Sequence, residues 1–204
     1  MRRRVNDVPR FKTREAWLTA VAERMRPWFE ELGHDLPKVR MAIGFTSQGK
    51  RGKAIGQCWH GKASDDGTCE IFIVPTIDDP MRIADILAHE LCHTALGPGI
   101  MHGPPFKKLA NAIGLEGSFG RGCRASVATK AFTRRMRPIL AKVGPLPHAK
   151  LNAKVSTTKK QSTRMIKCTC KRCGYTVRTT RKWLSEAGTP YCPTDIEQLV
   201  AEDV

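Results

Sequence analysis

Only two tyrosines and 6% aromatic residues occur in these 204 residues, and no run of about 18 apolar residues appears anywhere. The second absence removes any membrane-spanning helix. Met1-Arg2-Arg3-Arg4 has the charge of a secretory leader, but Val5-Asn6-Asp7-Val8-Pro9-Arg10 supplies no apolar core behind it. The chain therefore reads as a cytoplasmic protein with no membrane partner. A third absence is more informative. Residues 121–182 contain no Asp or Glu at all, against 18 Lys and Arg, whereas the remaining 17 bases stand against all 19 acids. The net charge of +16 thus belongs to one half of the molecule, the pattern of a surface that meets a polyanion, above all nucleic acid.

What is present is enough for a packed domain: 41% hydrophobic residues over 204 positions suffice for one core with a small satellite module. Eight cysteines in a reducing compartment are thiols or metal ligands rather than four disulfides. Cys168, Cys170, Cys173 and Cys192 cluster near the C-terminus and read as ligands. Cys58, Cys69, Cys92 and Cys123 are scattered and read as small buried hydrophobes.

Apolar spacing predicts a helix over 13–32, carrying Trp17, Ala20, Val21, Met25, Trp28, Phe29 and Leu32, broken or kinked at Pro27 and stopped by Gly33. Alternation predicts strands over 39–45, 54–60 and 70–74, the last two joined by the turn Ser64-Asp65-Asp66-Gly67. These should form a small antiparallel sheet. Asp79-Pro80 starts a helix that should end at Gly97-Pro98. Helical patterns follow from Phe106 and over 126–143, with Pro138 a second point of fracture. Asn152 to Ser162 has almost no apolar content and reads as linker. The expected organisation is a domain over 1–148, a basic polar linker over 149–163 and a small module over 164–204, an α+β chain in class.

The chemistry concentrates at His89-Glu90-Leu91-Cys92-His93. On a helix, positions four apart lie one turn apart on one face, so two imidazoles reach one metal ion and Glu90 stands beside the open position, where it can take a proton from water. A catalytic zinc needs a third ligand. His102, separated from His93 by eight intervening residues, is within reach if Gly97-Pro98-Gly99 turns the chain back. Metzincin spacing would place Gly at 96 and His at 99; Leu96 and Gly99 exclude it. With no tyrosine upstream of Tyr175, the group that steadies an oxyanion has no assignment; His60 and Arg121 are the basic residues that come into question.

Cys170-Lys171-Arg172-Cys173-Gly174 is a zinc knuckle, completed by Cys192. The fourth ligand is open between Cys168 and Asp195, and a module without metal is the remaining alternative. Arg164, Lys167, Lys171, Arg172, Arg178, Arg181 and Lys182 ring it. Tyr175 and Trp183 suit it to stacking on single-stranded DNA, although Trp183 and Leu184 serve equally as a small core.

The H-E-L-C-H motif, His102-Gly103-x-x-Phe106, the preceding hairpin ending Glu70-Ile71-Phe72-Ile73 and the cysteine module with Gly174 to Leu184 together resemble the SprT-like (Spartan-type) zinc metalloproteases. The closest likeness is to the actinobacterial and phage type with a C-terminal zinc ribbon. The resemblance covers the chain from about Trp17 onward. It implies a helical, zincin-like protease domain with zinc on His89, His93 and His102 and Glu90 as general base. It also implies a zinc ribbon in the cysteine module, where this sequence itself offers Cys168, Cys170, Cys173 and Cys192 as the structural-zinc set. Thr194 stands where such proteins tend to have a further cysteine. The implied activity is hydrolysis of proteins bound or crosslinked to DNA by water that zinc and Glu90 activate. The rivals are a zinc-containing nucleic-acid-binding protein without catalysis and a general metallopeptidase indifferent to DNA. The strand over 70–74 would be the edge on which a peptide substrate adds.

Overall fold

A computed structural model describes residues 9–117, 126–155 and 164–202. The chain divides into two compact units, Met1–Lys154 and Val155–Val204. Both mix helices with small sheets, an α+β architecture. Among the described residues no helix is long and apolar enough to cross a membrane. Arg121 and Cys123, and residues 156–163 of the expected linker, lie outside the described residues.

The N-terminal unit is built around one helix. α1 (Arg14–Glu30) is capped by Thr13, whose hydroxyl accepts from the Ala16 amide at 3.1 Å, and buries Trp17, Leu18, Val21, Met25 and Phe29. Pro27 does not break it, because a proline in the last turn costs one hydrogen bond while Trp28 and Phe29 are already held in the core. Leu32, expected on the apolar stripe, sits past the helix end and is exposed.

The sheet differs from the expected one in two respects. β1 (Val39–Ile43), β2 (Gly56–Trp59) and β3 (Cys69–Ile73) are ordered β1-β3-β2. The β2–β3 hairpin is antiparallel, with Gly67 at φ 71° in its turn, but β1 pairs with β3 in parallel, Met41 opposite Ile71. The sheet is therefore mixed. β3 lies at its centre with both edges paired, so it cannot accept a further strand. The two outer edges belong to β1 and β2.

α2 (Pro80–Leu96) starts as its sequence dictates: the Asp79 carboxylate accepts from the amides of Met81 and Arg82, and Pro80 takes the first turn. It is buried nearly all round, from Ile83 to Cys92, which is the signature of a helix packed on several sides. It lies against α1, β2, β3, and the later elements α3 (Pro104–Ile113), α4 (Lys130–Val143) and β5 (Val127–Ala128). The expected helix over 126–143 begins four residues late. Val127 and Ala128 instead pair with β4 (Leu115–Glu116), and Thr129 caps α4 by accepting from the Phe132 amide. α4 runs through Pro138 without a break. The start of the expected linker is also part of this unit, since Leu151 donates to the Pro75 carbonyl at 2.8 Å and the buried Arg14 guanidinium bonds the carbonyls of Pro75 and Ala149.

The C-terminal unit has a three-stranded sheet, β7-β6-β8, from β6 (Met165–Thr169), β7 (Thr176–Thr180) and β8 (Val200–Ala201), and a short helix α5 (Arg181–Ala187). Its core is small: Cys168, Cys170, Cys192 and Leu199, with Val177, Leu184 and Ala201 packed on them. Leu184 serves that core; Trp183 is 55% exposed and does not.

Candidate metal centres

α2 carries His89 and His93 one turn apart, and the loop after Gly97 returns the third imidazole. Gly97 and Gly99 hold φ values of 79° and 87°, a region closed to most side chains, which permits the reversal in so few residues. His102 Nε2 then lies 3.1 Å from His89 Nε2 and 3.2 Å from His93 Nε2. Three imidazole nitrogens at 2.0–2.1 Å from one tetrahedral ion would stand roughly 3.3 Å apart. The donor set therefore fits a zinc-class ion without rearrangement, and all four sequence-predicted residues of this site come together.

Beneath them is Phe106, fully buried, its ring 4.8, 4.4 and 4.8 Å from the rings of His89, His93 and His102. It is an apolar floor that limits how far the imidazoles can turn. Burial favours the neutral form of the two helix histidines: His89 is lowered to about 3, by desolvation first and then by His93 and His102, and His93 to about 4 by desolvation and His102. A neutral imidazole is the form that binds a metal, so protons compete little at neutral pH.

The outer nitrogens are held as well. His89 Nδ1 lies 2.9 Å from Ser126 Oγ, and His93 donates to the Ile100 carbonyl. Ser126 is itself fixed by Arg82, whose Nη1 donates at 2.8 Å both to the Ser126 carbonyl and to Asp85 Oδ1; Asp85 Oδ2 accepts from the Ala128 amide. Burial raises the Asp85 carboxyl, and the bond from Arg82 opposes that shift. Partners of this kind set ring orientation and ligand basicity. Ser126, Arg82 and Asp85 were not singled out in the sequence. Arg82 and Asp85 at i, i+3 on the metal helix were the available signal, and nothing local pointed to Ser126.

Glu90 is 6% exposed, and burial pushes its carboxyl up to about 8, partly opposed by the Cys58 amide that donates to it. That amide belongs to β2, so this outer strand of the sheet lies over the carboxylate. Gly56, also on β2, makes the approach possible. Cys58 Sγ is 3.3 Å from Thr94 Oγ1 and its thiol is pushed up to about 12 by burial; with the buried Cys69 and Cys92 it behaves as a small apolar residue. A cleft of about 760 Å³ opens above the histidines between β2, the Ser47–Ile55 loop and the Gly99–His102 loop. His60 is on its wall, its pKa lowered by desolvation.

In the C-terminal unit a second set of donor atoms lies within 4.8 Å of one another: Cys170, Cys173, Cys192 and Asp195. Cys168 is not among them. It is fully buried on β6, opposite Val177 and Ala201, and belongs to the core. Three of the four expected cysteines thus converge, and the fourth place is taken by a carboxylate.

Comparison with protein-family models, with curated proteins and with solved structures finds no match to this chain.

Proposed function

We propose that the N-terminal unit is a zincin-like, SprT-like zinc metallopeptidase and that the C-terminal unit is a zinc ribbon serving it as a DNA-binding module. The observation that carries the reading is the joint placement of three converging imidazole nitrogens and a buried, unligated Glu90 on the floor of one cleft, below a free strand edge. His89, His93 and His102 would hold the zinc, whose bound form supplies Lewis acidity that polarises a carbonyl and acidifies water.

The chain's own residues do the rest. A peptide laid along β2 is fixed by main-chain hydrogen bonds with its scissile carbonyl over the histidines. Glu90 takes a proton from the attacking water and returns it to the departing nitrogen. Among the described residues no cationic side chain pairs with the buried Glu90, and a carboxylate needed only for structure would be expected to have one, which counts against a non-catalytic metal site.

The substrate class we propose is protein bound or crosslinked to DNA. Supporting it are the exposed bases Lys130, Arg134 and Arg137 on α4 and Lys171, Arg172, Arg178, Arg181 and Lys182 on the C-terminal unit, with Trp183 and Tyr191 exposed for stacking on unpaired bases. The test is cleavage of a basic, unstructured protein by the zinc-loaded full chain. Cleavage should require the metal, rise on adding single-stranded DNA and weaken with salt; DNA affinity that is flat in salt would remove the nucleic-acid part of the reading.

A further inference from the structure

Two segments of the C-terminal unit repeat one another bond for bond. In Cys170-Lys171-Arg172-Cys173-Gly174-Tyr175, the Cys170 amide donates to the Tyr175 carbonyl at 2.8 Å and the Gly174 amide to the Cys170 carbonyl at 3.1 Å, with Gly174 at φ 76°. In Cys192-Pro193-Thr194-Asp195-Ile196-Glu197, the Cys192 amide donates to the Glu197 carbonyl at 2.7 Å and the Ile196 amide to the Cys192 carbonyl at 2.9 Å, with Ile196 at φ 56°. Asp195 therefore occupies in the second loop the place of Cys173 in the first, and Ile196 the place of Gly174.

The donor atoms agree. Cys173 Sγ is 3.5 Å from Cys192 Sγ, and Asp195 Oδ2 is 3.2 Å from Cys170 Sγ and 3.6 Å from Cys192 Sγ. Thiolates at about 2.3 Å and a carboxylate oxygen at about 2.0–2.2 Å from one tetrahedral ion would be separated by roughly 3.5–3.8 Å.

Ile196 supplies an independent observation. Among the described residues it alone, apart from glycines, has positive φ, and it is β-branched and 80% exposed. Left-handed backbone costs such a residue about 1–2 kcal/mol, and no packing of its side chain offsets that. What the strained turn achieves is to deliver the Asp195 carboxylate to the three sulfurs.

We propose that the C-terminal unit binds one zinc-class divalent cation through Cys170, Cys173, Cys192 and Asp195, a three-thiolate, one-carboxylate site on two equivalent knuckles, with Cys168 as core. The three sulfurs select a borderline-soft metal, and Asp195 is the hard ligand that exchanges most readily. The inference rests on the geometry of this unit and is independent of the peptidase reading.

The full chain titrated with Co²⁺ tests it, because the near-ultraviolet thiolate-to-cobalt band reports sulfur ligands and is blind to the histidine cluster. Wild type should show the band. Cys168→Ala should keep it, Asp195→Ala should weaken binding at least the ~10–100-fold that loss of an outer partner costs. Asp195→Cys should intensify the band by about a third, from three thiolates to four. The proposal is overturned by a wild type without the band, by Asp195→Ala binding Co²⁺ as tightly as wild type, or by an Asp195→Cys band no stronger than the wild-type one. Asp195→Cys alters an exposed loop, so its result stands even where Cys168→Ala disturbs folding.

Discussion

A Cβ on Gly56 would lie 2.5 Å from Oε1 of Glu90 and 2.7 Å from Cγ2 of Ile86, so the edge strand descends on the carboxylate with no room for any side chain. Gly56→Ala must displace Glu90 or lift β2. Displacing a reacting group by about 1 Å can cost ~10²-fold in rate. The variant should keep its zinc and lose about that much kcat in the cleavage assay. A variant as active as wild type would mean that Glu90 is not held where it works.

The Ser126 hydroxyl is the hydrogen-bond partner of His89 Nδ1. Ser126→Ala should leave the fold intact and lower zinc affinity at the histidine site by ~10–100-fold, measured by competition with a chelating dye. Asp85→Asn should move affinity the same way by loosening Arg82, which holds the Ser126 carbonyl.

The metal-free protein should respond to pH through Glu90. Its folded pKa is raised from 4.5 to about 8, so its neutral form is the stable one in the fold. The contribution of this group to stability is complete below its unfolded value and is lost as pH rises through about 8. Glu90→Gln, which keeps an acceptor for the Cys58 amide, should match wild type near pH 4. It should be the more stable protein near pH 9, by an amount on the order of a few kcal/mol. Denaturant midpoints at the two pH values, with chelator present, give the comparison. An equal difference at both would contradict the assignment.

Ile196→Gly should stabilise the C-terminal unit, since relief of about 1–2 kcal/mol of left-handed strain exceeds the ~0.5–1 kcal/mol entropic cost of a glycine. A lower thermal midpoint for the metal-loaded unit in this variant would argue that the exposed side chain makes a contact of its own.

The histidine cluster was legible because its chemistry is local. His89, Glu90 and His93 share a helix whose start is written in Asp79-Pro80, and His102 follows a Gly-Pro-Gly reversal. The remainder depended on contacts that spacing does not encode. β1 pairs with β3 in parallel across thirty positions, from Val39 to Cys69, and no local turn announces it; the hairpin signal alone suggested an antiparallel sheet and the wrong edge. Gly56 read as one strand residue among others until its neighbour on α2 was known. At the second centre, Cys168 lies two residues before Cys170, so counting sulfurs favoured Cys168. The backbone bonds of the two loops and the distances to the Cys170 and Cys192 sulfurs bring Asp195 into the cluster.

The most direct test of the catalytic account is a paired measurement on the full chain: zinc content and cleavage of a basic protein on single-stranded DNA, for wild type and Glu90→Gln. The account predicts equal zinc in both proteins, cleavage by wild type, and a rate lower by at least the ~10²–10⁴-fold that a general base contributes in the variant. Cleavage by zinc-loaded Glu90→Gln at the wild-type rate would contradict it.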